Sequence, residues 1–181
     1  MALLLMSLMA FANAHPRWRT AMHIQSDIDY LISVFKIVDG ARSTYKAPRP
    51  GEKLEVKLMA PDSPSLKFTL SIAEGSRSSV ITLKINTDRK TTLQTRHFAN
   101  PLIRIDLDAK AIHTNPDGQL IKGEHIHIAT SEYGDKFAWP LKDQDIIPQL
   151  ASLDNVPEIF EAFREYCHIE DTLRVDWSLG V

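Results

Sequence analysis

IRIDLDAKAIHTNPDGQLIKGEHIHIATSEYGDKFAWPL, residues 103–141, predicts the centre of an antiparallel sheet. Apolar and polar residues alternate on both sides of the sequence NPDG at 115–118, which suits a tight turn because Pro fixes φ and Gly permits the chain reversal. A second turn sequence, EYGD, follows at 132–135. The stretch therefore predicts two consecutive hairpins that share one apolar face.

The register of these hairpins follows from placing Thr114 opposite Gln119. A shift by one residue would set isoleucines opposite aspartates, so the alternation supports this choice. The pairs expected on the apolar face are Leu107 with Ile126, Ile105 with Ile128 and Ile128 with Trp139, and those on the polar face are Asp108 with His125 and Asp106 with His127.

Composition predicts one domain with a substantial core, since the chain has 181 residues of which 44% are hydrophobic. A formal net charge of −2 gives no overall basic field, so nucleic acid would have to bind to a local patch. Cys167 is the single cysteine, which excludes an internal disulfide and a cysteine zinc cluster. No apolar run is long enough to span a membrane, and we expect a cytoplasmic protein.

The first 21 residues are expected to lie outside this domain, which we place at residues 22–181. Met1–Ala14 has the apolar core of a signal peptide, and export is the alternative if it acts as one. Its flanking charges argue against export, because Arg17 and Arg19 follow the apolar run and no basic residue precedes it. Met22, directly before a predicted helix, is an alternative translation start, and the sequence leaves both starts open.

Two helices are predicted, one before and one after a series of strands. Apolar residues at 24, 28, 31, 32 and 35 give the first helix its stripe, with a Ser26–Asp29 capping pair at the start and Asp39-Gly40 as the stop. Asn155 is expected to cap the second helix. The buried stripe of that helix is expected at Ile159, Phe163, Tyr166 and Cys167.

Alternating strands are predicted at residues 54–58, 66–72, 81–85 and 91–98, ahead of the central hairpins. Leu173–Leu179 is expected to form an edge strand or a strap anchored by Trp177. Together these elements predict an α+β fold, an antiparallel meander of five to seven strands with two helices packed on one face and the other face open.

A basic connector, ARSTYKAPRPGEK at residues 41–53, joins the first helix to the strands. Arg42 and Arg49 within it have the charge to contact a phosphate backbone, as a nucleic-acid-binding arm would. A solvated loop is the commoner outcome for this composition.

Chemistry is expected on the open polar face of the sheet. One of His125 and His127 would remove a proton from a ribose 2′-hydroxyl while the other protonates the leaving oxygen. Asp106 and Asp108 would orient the imidazoles, and Arg104 would bind the phosphate. These residue types predict a metal-independent ribonuclease.

Three further residues are expected to support that reaction. Arg96 and Lys84 would add positive charge at the phosphate, and Tyr133 would stack on a base or assist proton transfer. No cofactor is expected, since the sequence has no Gly-rich nucleotide loop, G-x-S-x-G elbow or H-E-x-x-H motif.

Two other hypotheses remain open for the same residues. His125-x-His127 with Asp106 has the donor types of a metal site, which would indicate a metal-dependent hydrolase, although the sequence places no third histidine nearby. Alternatively, these are ordinary cross-strand pairs in a non-enzymatic protein that binds RNA or a partner protein. His113 and Asn115 are expected to be structural residues of the first turn.

The same region resembles a family of uncharacterised proteins from bacteria and their phages. The pattern is N-x-D-G at 115–118, G-x-H-I-H-I at 123–128, E-Y-G-D at 132–135 and A-x-P-L at 138–141. The resemblance covers residues 22–169 and implies a cytosolic protein of mobile-element or defence context, with no established activity. In outline, the expected fold is similar to the RNA-cutting toxins of bacterial toxin–antitoxin pairs.

Overall fold

The computed structural model describes residues 24–75, 90–143 and 145–178. Their helices and strands, in chain order, are α1 (Gln25–Ser33), β1 (Ile37–Val38), β2 (Thr44–Lys46), β3 (Lys53–Ala60), β4 (Ser63–Glu74), β5 (Thr91–His97), β6 (Asn100–Leu107), β7 (Ile112–Thr114), β8 (Leu120–Lys122), β9 (His125–Ile128), β10 (Ala138–Pro140), α2 (Pro148–Ala151), α3 (Val156–Tyr166) and β11 (Arg174–Asp176).

Seven strands form one antiparallel sheet in the order β1-β3-β4-β5-β6-β9-β10, which confirms the predicted α+β meander. Strands β4 and β5 pair directly, with Leu93 opposite Ile72. The strand predicted at residues 81–85, the candidate Lys84 and the N-terminal residues 1–21 with Met22 lie outside the described residues. None of the described helices is long and apolar enough to cross a membrane.

One face of the sheet holds the core. Its side chains alternate along each strand with polar residues on the opposite face, as the sequence predicts. Helix α3 packs on this face, and Asn155 caps its start because the side-chain Oδ1 accepts a hydrogen bond from the backbone N–H of Glu158 at 2.9 Å. The buried side chains of sheet and helix include Val56, Leu58, Phe68, Leu70, Leu93, Ile103, Ile105, Ile126, Ile159, Phe160 and Phe163.

The first helix is shorter than the sequence predicts. Helix α1 ends at Ser33, because Ile37 and Val38 instead extend the sheet by pairing with β3. Its N-cap residue is Ile24, which makes no side-chain capping bond, so the Ser26–Asp29 capping pair was wrong.

The basic connector and the C-terminal tail pair with each other. Thr44–Lys46 lies parallel to Arg174–Asp176, so part of the connector is a strand rather than a loop. Trp177 packs against Phe160 with 5.7 Å between ring centroids, which confirms it as an anchor of the tail. A further short helix, Pro148–Ala151, lies where the sequence indicated only a polar link.

The register of the central hairpins differs from the prediction by two residues. Arg104 lies opposite His127 and Asp106 lies opposite His125, whereas we expected Asp106 opposite His127. In the next pair of strands, Trp139 lies opposite Ile126 instead of Ile128. A shift of two preserves the face of every side chain, so the polar and apolar sets were assigned correctly.

The cause of this shift is a separate small ladder at the tip of the first hairpin. Strands β7 and β8 pair with each other, with Thr114 opposite Leu120 rather than Gln119. The connector at residues 108–111 on one side is longer than that at residues 123–124 on the other. The unequal connectors change the register between the tip and β6–β9.

Candidate histidine cluster

Three histidines come together where the β7–β8 hairpin lies against the polar face of β9. His125 and His127 project from the same side of β9, and His113 comes from β7. The ring centroid of His113 lies 5.5 Å from that of His125 and 4.7 Å from that of His127. One potential ligand atom from each residue lies within 4.8 Å of the other two. We call these residues, with Arg104 and Asp106, the histidine cluster.

The hairpin is held in this position by Asn115. Its side-chain Nδ2 donates to the carbonyl of Ala138 at 2.9 Å, and its Oδ1 accepts from the N–H of Ala138 at 2.8 Å. Asn115 therefore joins its own hairpin, where Nδ2 also donates to Gln119 Oε1 at 3.3 Å, to β10. This face is consequently covered at β9, where His125 and His127 are only 4% and 0% exposed.

Each histidine places one ring nitrogen against a backbone carbonyl. The contacts are His113 Nε2 to the oxygen of Lys136 at 3.0 Å, His125 Nδ1 to that of Gly123 at 2.7 Å, and His127 Nδ1 to that of Asp135 at 2.9 Å. A carbonyl only accepts, so each of these ring nitrogens carries the proton. The tautomer of each neutral ring is thereby fixed.

Asp106 lies beside the histidine rings. Its Oδ2 atom is 3.5 Å from Nε2 of His125 and 3.5 Å from Nε2 of His127. The same oxygen accepts from Arg104 Nε at 2.9 Å, and Oδ1 accepts from the hydroxyl of Thr92 at 2.8 Å. Partial burial acts to raise the pKa of Asp106, but the neighbouring imidazoles, Arg104 and Thr92 outweigh it and hold that pKa far below its usual range.

The two buried histidines differ in their preferred charge. For His125, burial opposes protonation, but the Asp106 carboxylate and the Gly123 carbonyl outweigh burial and raise its pKa. For His127, burial and the Arg104 charge prevail and lower its pKa. In the absence of a bound ion, His125 therefore holds a proton more tightly than His127.

Arg104 connects the cluster to solvent. Its Nη2 donates to Nε2 of His127 at 2.8 Å, and its Nη1 donates to Oδ2 of Asp135 at 3.3 Å. The side chain remains 27% exposed. It forms part of an open depression of about 430 Å³, whose other lining residues are His113, Thr114, Pro116, Asp135 and Lys136.

Two of the predicted catalytic residues lie apart from these contacts. Asp108 follows the end of β6, where its Oδ2 is 3.2 Å from Lys90 Nζ and its Oδ1 accepts from the N–H of Lys110 at 2.9 Å. The two-residue change of register places Asp106, not Asp108, opposite His125. Tyr133 packs against Phe137 with 5.7 Å between ring centroids, and no described contact joins it to the histidines.

The predicted phosphate-binding residues are spread over several places. Arg96 shares the polar face with Arg104 but donates to Glu55 at 2.9 Å. Arg42 stacks over Tyr45, 4.8 Å from its ring centroid. Arg49 lines a separate pocket of about 550 Å³ with Lys46, Lys53 and Asp176. Within the described part of the chain, Arg104 is therefore the one predicted phosphate-binding residue that contacts a histidine of the cluster.

Sequence reasoning missed the contributions of His113, Asn115 and Asp135. The sequence pattern predicts His113 as a structural residue of the first turn, whereas in the structure the hairpin tip lies over the sheet and brings His113 to the other two histidines. One signal was available in the sequence. His113 and Asn115 are two residues apart, so their polar side chains lie on the same side of a strand and can both face the main sheet. Asp135 supplies both a carbonyl and a carboxylate from a turn whose approach to β6 no pattern indicated.

Comparison with known proteins places the cluster inside a described family. One family model, described as "Family of unknown function (DUF6978)", matches residues 24–169. That range contains all three histidines, Arg104 and Asp106, and nearly coincides with the range expected from the sequence pattern. No curated protein and no solved structure matches the chain.

Proposed function

Because the chain belongs to this family of unknown function, we propose a function from the site itself: the protein acts on the phosphodiester backbone of RNA at the histidine cluster. The observation that carries the proposal is the position of Arg104. Its guanidinium is held by Asp106, Asp135 and His127 and still faces an open depression. A guanidinium fixed in this way is suited to bind a phosphate and to stabilise charge that develops on it.

The rim of the depression supplies the other groups that a phosphodiester needs. Lys136 adds a second positive charge, and His113 is half-buried at the opening. His125 and His127 are buried, so their proposed role is to position Arg104 and Asp106 rather than to contact RNA. This assigns them a different role from the acid and base predicted from the sequence.

RNA suits this site better than DNA for a chemical reason. The ribose 2′-hydroxyl is a nucleophile next to the phosphate: His113 would accept its proton, the 2′-oxygen would bond to phosphorus beside Arg104, and the 5′-oxygen would leave with a proton from water. An open depression also admits a single strand without requiring a duplex groove. Proton transfer by imidazole and metal-assisted attack both suit this cluster, and a chelator distinguishes them.

The test is cleavage of an end-labelled single-stranded RNA by the purified full chain, beside DNA of the same sequence. We expect RNA fragments from wild type and at least about a 100-fold loss with Arg104→Gln, the scale of losing one positioned transition-state donor. Lys136→Gln, at an exposed residue on the rim, is expected to weaken RNA binding. Circular dichroism of each variant excludes unfolding. No cleavage by wild type with or without added Zn²⁺, Mn²⁺ or Mg²⁺ would refute the enzymatic proposal.

A second candidate is a non-enzymatic protein that binds RNA or a partner protein. The observation that favours it is the separate pocket where three basic residues, Lys46, Arg49 and Lys53, outnumber the acidic Glu52 and Asp176. Under this alternative, Arg49→Gln reduces RNA binding while Arg104→Gln does not. The opposite result supports the histidine cluster as the RNA site.

We also propose that the protein works in the cytosol of a bacterial host, in a mobile-element or defence context. The proposal rests on the sequence pattern from residue 113 to residue 141. Induced expression of the full chain in bacteria tests it by growth and by total RNA on a gel. Wild type should arrest growth and fragment RNA, and Arg104→Gln should do neither. Harmless expression of both proteins would contradict a toxin-like role.

A further inference from the structure

The histidine cluster has the arrangement of a metal site as well as that of a proton-transfer site. A neutral imidazole has one N–H and one lone pair. Because His113, His125 and His127 each give their N–H to a backbone carbonyl, the lone pairs lie on His113 Nδ1, His125 Nε2 and His127 Nε2. Histidines that bind metals show this same feature, with the second nitrogen donating to a carbonyl or carboxylate.

The distances within the cluster are compatible with a shared ion. One potential ligand atom of each histidine lies within 4.8 Å of the others. A tetrahedral Zn²⁺ with bonds of about 2.0–2.1 Å separates its ligand atoms by about 3.3 Å. To share one ion, the three ligand atoms would have to approach one another by at most about 1.5 Å, the difference between these two separations.

Asp106 offers a carboxylate oxygen as a further ligand atom beside two of the three histidines. Its Oδ2 lies 3.5 Å from Nε2 of both His125 and His127, close to the separation of two ligands on one tetrahedral ion. Its other oxygen is oriented by the Thr92 hydroxyl at 2.8 Å. A ligand carboxylate fixed by a neighbouring hydrogen bond is the expected outer arrangement of a metal centre.

Arg104 contacts two of the atoms that a metal would use. Its Nη2 donates to Nε2 of His127 at 2.8 Å, at the lone pair a metal would use. Its Nε donates to Asp106 Oδ2 at 2.9 Å, the oxygen considered above as the fourth ligand, and its Nη1 donates to Asp135 at 3.3 Å. The guanidinium is planar and rigid, so it would have to move as a whole to free the His127 nitrogen, while a second lone pair on Asp106 Oδ2 is available to the ion.

From this geometry we propose that His113, His125 and His127 bind one divalent transition-metal ion, with Asp106 as the fourth ligand. Three imidazoles favour Zn²⁺, Co²⁺, Ni²⁺ or Cu²⁺ over Mg²⁺ and Ca²⁺, which prefer oxygen. The ion would link the β7–β8 hairpin to β9 and β6. This deepens the proposed RNA function by naming a cofactor for the same site, but its test contains no RNA.

The experiment uses the full chain, stripped with EDTA and dialysed against metal-free buffer. Co²⁺ is added while visible absorption is recorded, and Zn²⁺ is then added in competition. We expect one equivalent of Co²⁺ to give the visible bands of a tetrahedral site, and Zn²⁺ to remove them because it binds more tightly. No bands and no Zn²⁺ binding by calorimetry would overturn the proposal and leave a proton-binding cluster.

Two variants make the assignment specific. His113→Ala removes a half-buried ligand and should lower the Zn²⁺ affinity at least about 10-fold, as judged from the losses seen for outer-shell changes. His168→Asn is the matched control, because His168 is exposed and has a φ of 52°, which Asn also tolerates. Wild-type affinity in His113→Ala would overturn the proposal. If circular dichroism shows that His113→Ala is unfolded, Asp106→Asn replaces it, with the same expected loss.

The two proposals can fail separately. Metal binding without RNA cleavage supports the metal site and contradicts the RNA function. RNA cleavage that persists in EDTA, from a chain that binds no Co²⁺, supports the RNA function and overturns the metal site.

Discussion

Asn115 and Ala138 form a closed pair of hydrogen bonds, in which the side-chain amide of Asn115 takes the place of a neighbouring strand. The two bonds measure 2.9 and 2.8 Å, and Asn115 is buried. This pair attaches the tip of the β7–β8 hairpin to β10. It is the reason that His113 reaches His125 and His127.

Replacement of Asn115 should destabilise the folded protein. Asn115→Ala leaves the buried N–H and C=O of Ala138 without their partner, and we expect a loss of about 2–4 kcal/mol in the free energy of unfolding. Urea denaturation measures it. Asn155→Ala, which removes only the cap of α3, should cost about 1 kcal/mol. A smaller loss for Asn115→Ala than for Asn155→Ala would contradict the assignment.

Thr92 should affect metal binding at the proposed site through Asp106. Thr92→Val keeps the shape of the side chain but removes the hydrogen bond to Asp106 Oδ1, so the Zn²⁺ affinity should fall about 10-fold. Thr91→Val is the matched control on the same strand, because the Thr91 hydroxyl bonds to Glu74 on the other face. Equal affinities of the two variants, measured by Co²⁺ competition, would contradict this role for Thr92.

The buried amine of Lys36 should make stability depend on alkaline pH. Its Nζ donates to the carbonyls of Ile32, Val34 and Cys167 at 2.8–2.9 Å, and burial lowers its pKa from 10.5 to about 8. Between these pH values the unfolded chain binds a proton that the folded chain releases, so the folded state gains stability as the pH rises.

The measurement is the free energy of unfolding of wild type minus that of Lys36→Met from pH 8 to 10.5. This difference should rise by about 1 kcal/mol per pH unit, because the other titrating groups cancel. A difference that stays constant with pH would show that burial does not lower the pKa of Lys36.

Cys167 should be unreactive in the native protein. The thiol is 1% exposed, and burial raises its pKa to about 12, so almost no thiolate forms at mild pH. Ellman's reagent at pH 8 should titrate no thiol in native protein and one after unfolding in guanidinium. Rapid reaction of the native protein would place Cys167 at the surface.

The faces of the strands could be predicted from the sequence, whereas the partners along them could not. Alternation assigned Arg104, Asp106, His125 and His127 to one face, and the structure agrees. The pairing was two residues out, because the turn at 115–118 closes a small ladder of its own before the main sheet begins. Hydrophobic alternation repeats every two residues, so it contains no information that separates registers two apart.

The residues of the histidine cluster were predicted only in part, because long-range contacts also decide which residues belong to it. His113 belongs to it because the hairpin tip lies over the sheet, and that depends on one buried amide pairing with a strand more than twenty residues later. Similarly, the pairing of β2 with β11 joins segments at opposite ends of the chain. Contacts of this kind leave no local periodicity from which to predict them.

The order of the elements along the chain also has a consequence for synthesis. All seven strands of the main sheet precede Leu141, whereas Phe160 and Phe163, which cover its apolar face, come from α3 near the end. The ribosome releases N-terminal segments first. A nascent chain that has not yet released α3 therefore exposes apolar strand residues that α3 later covers, and such exposed surface favours chaperone binding and aggregation.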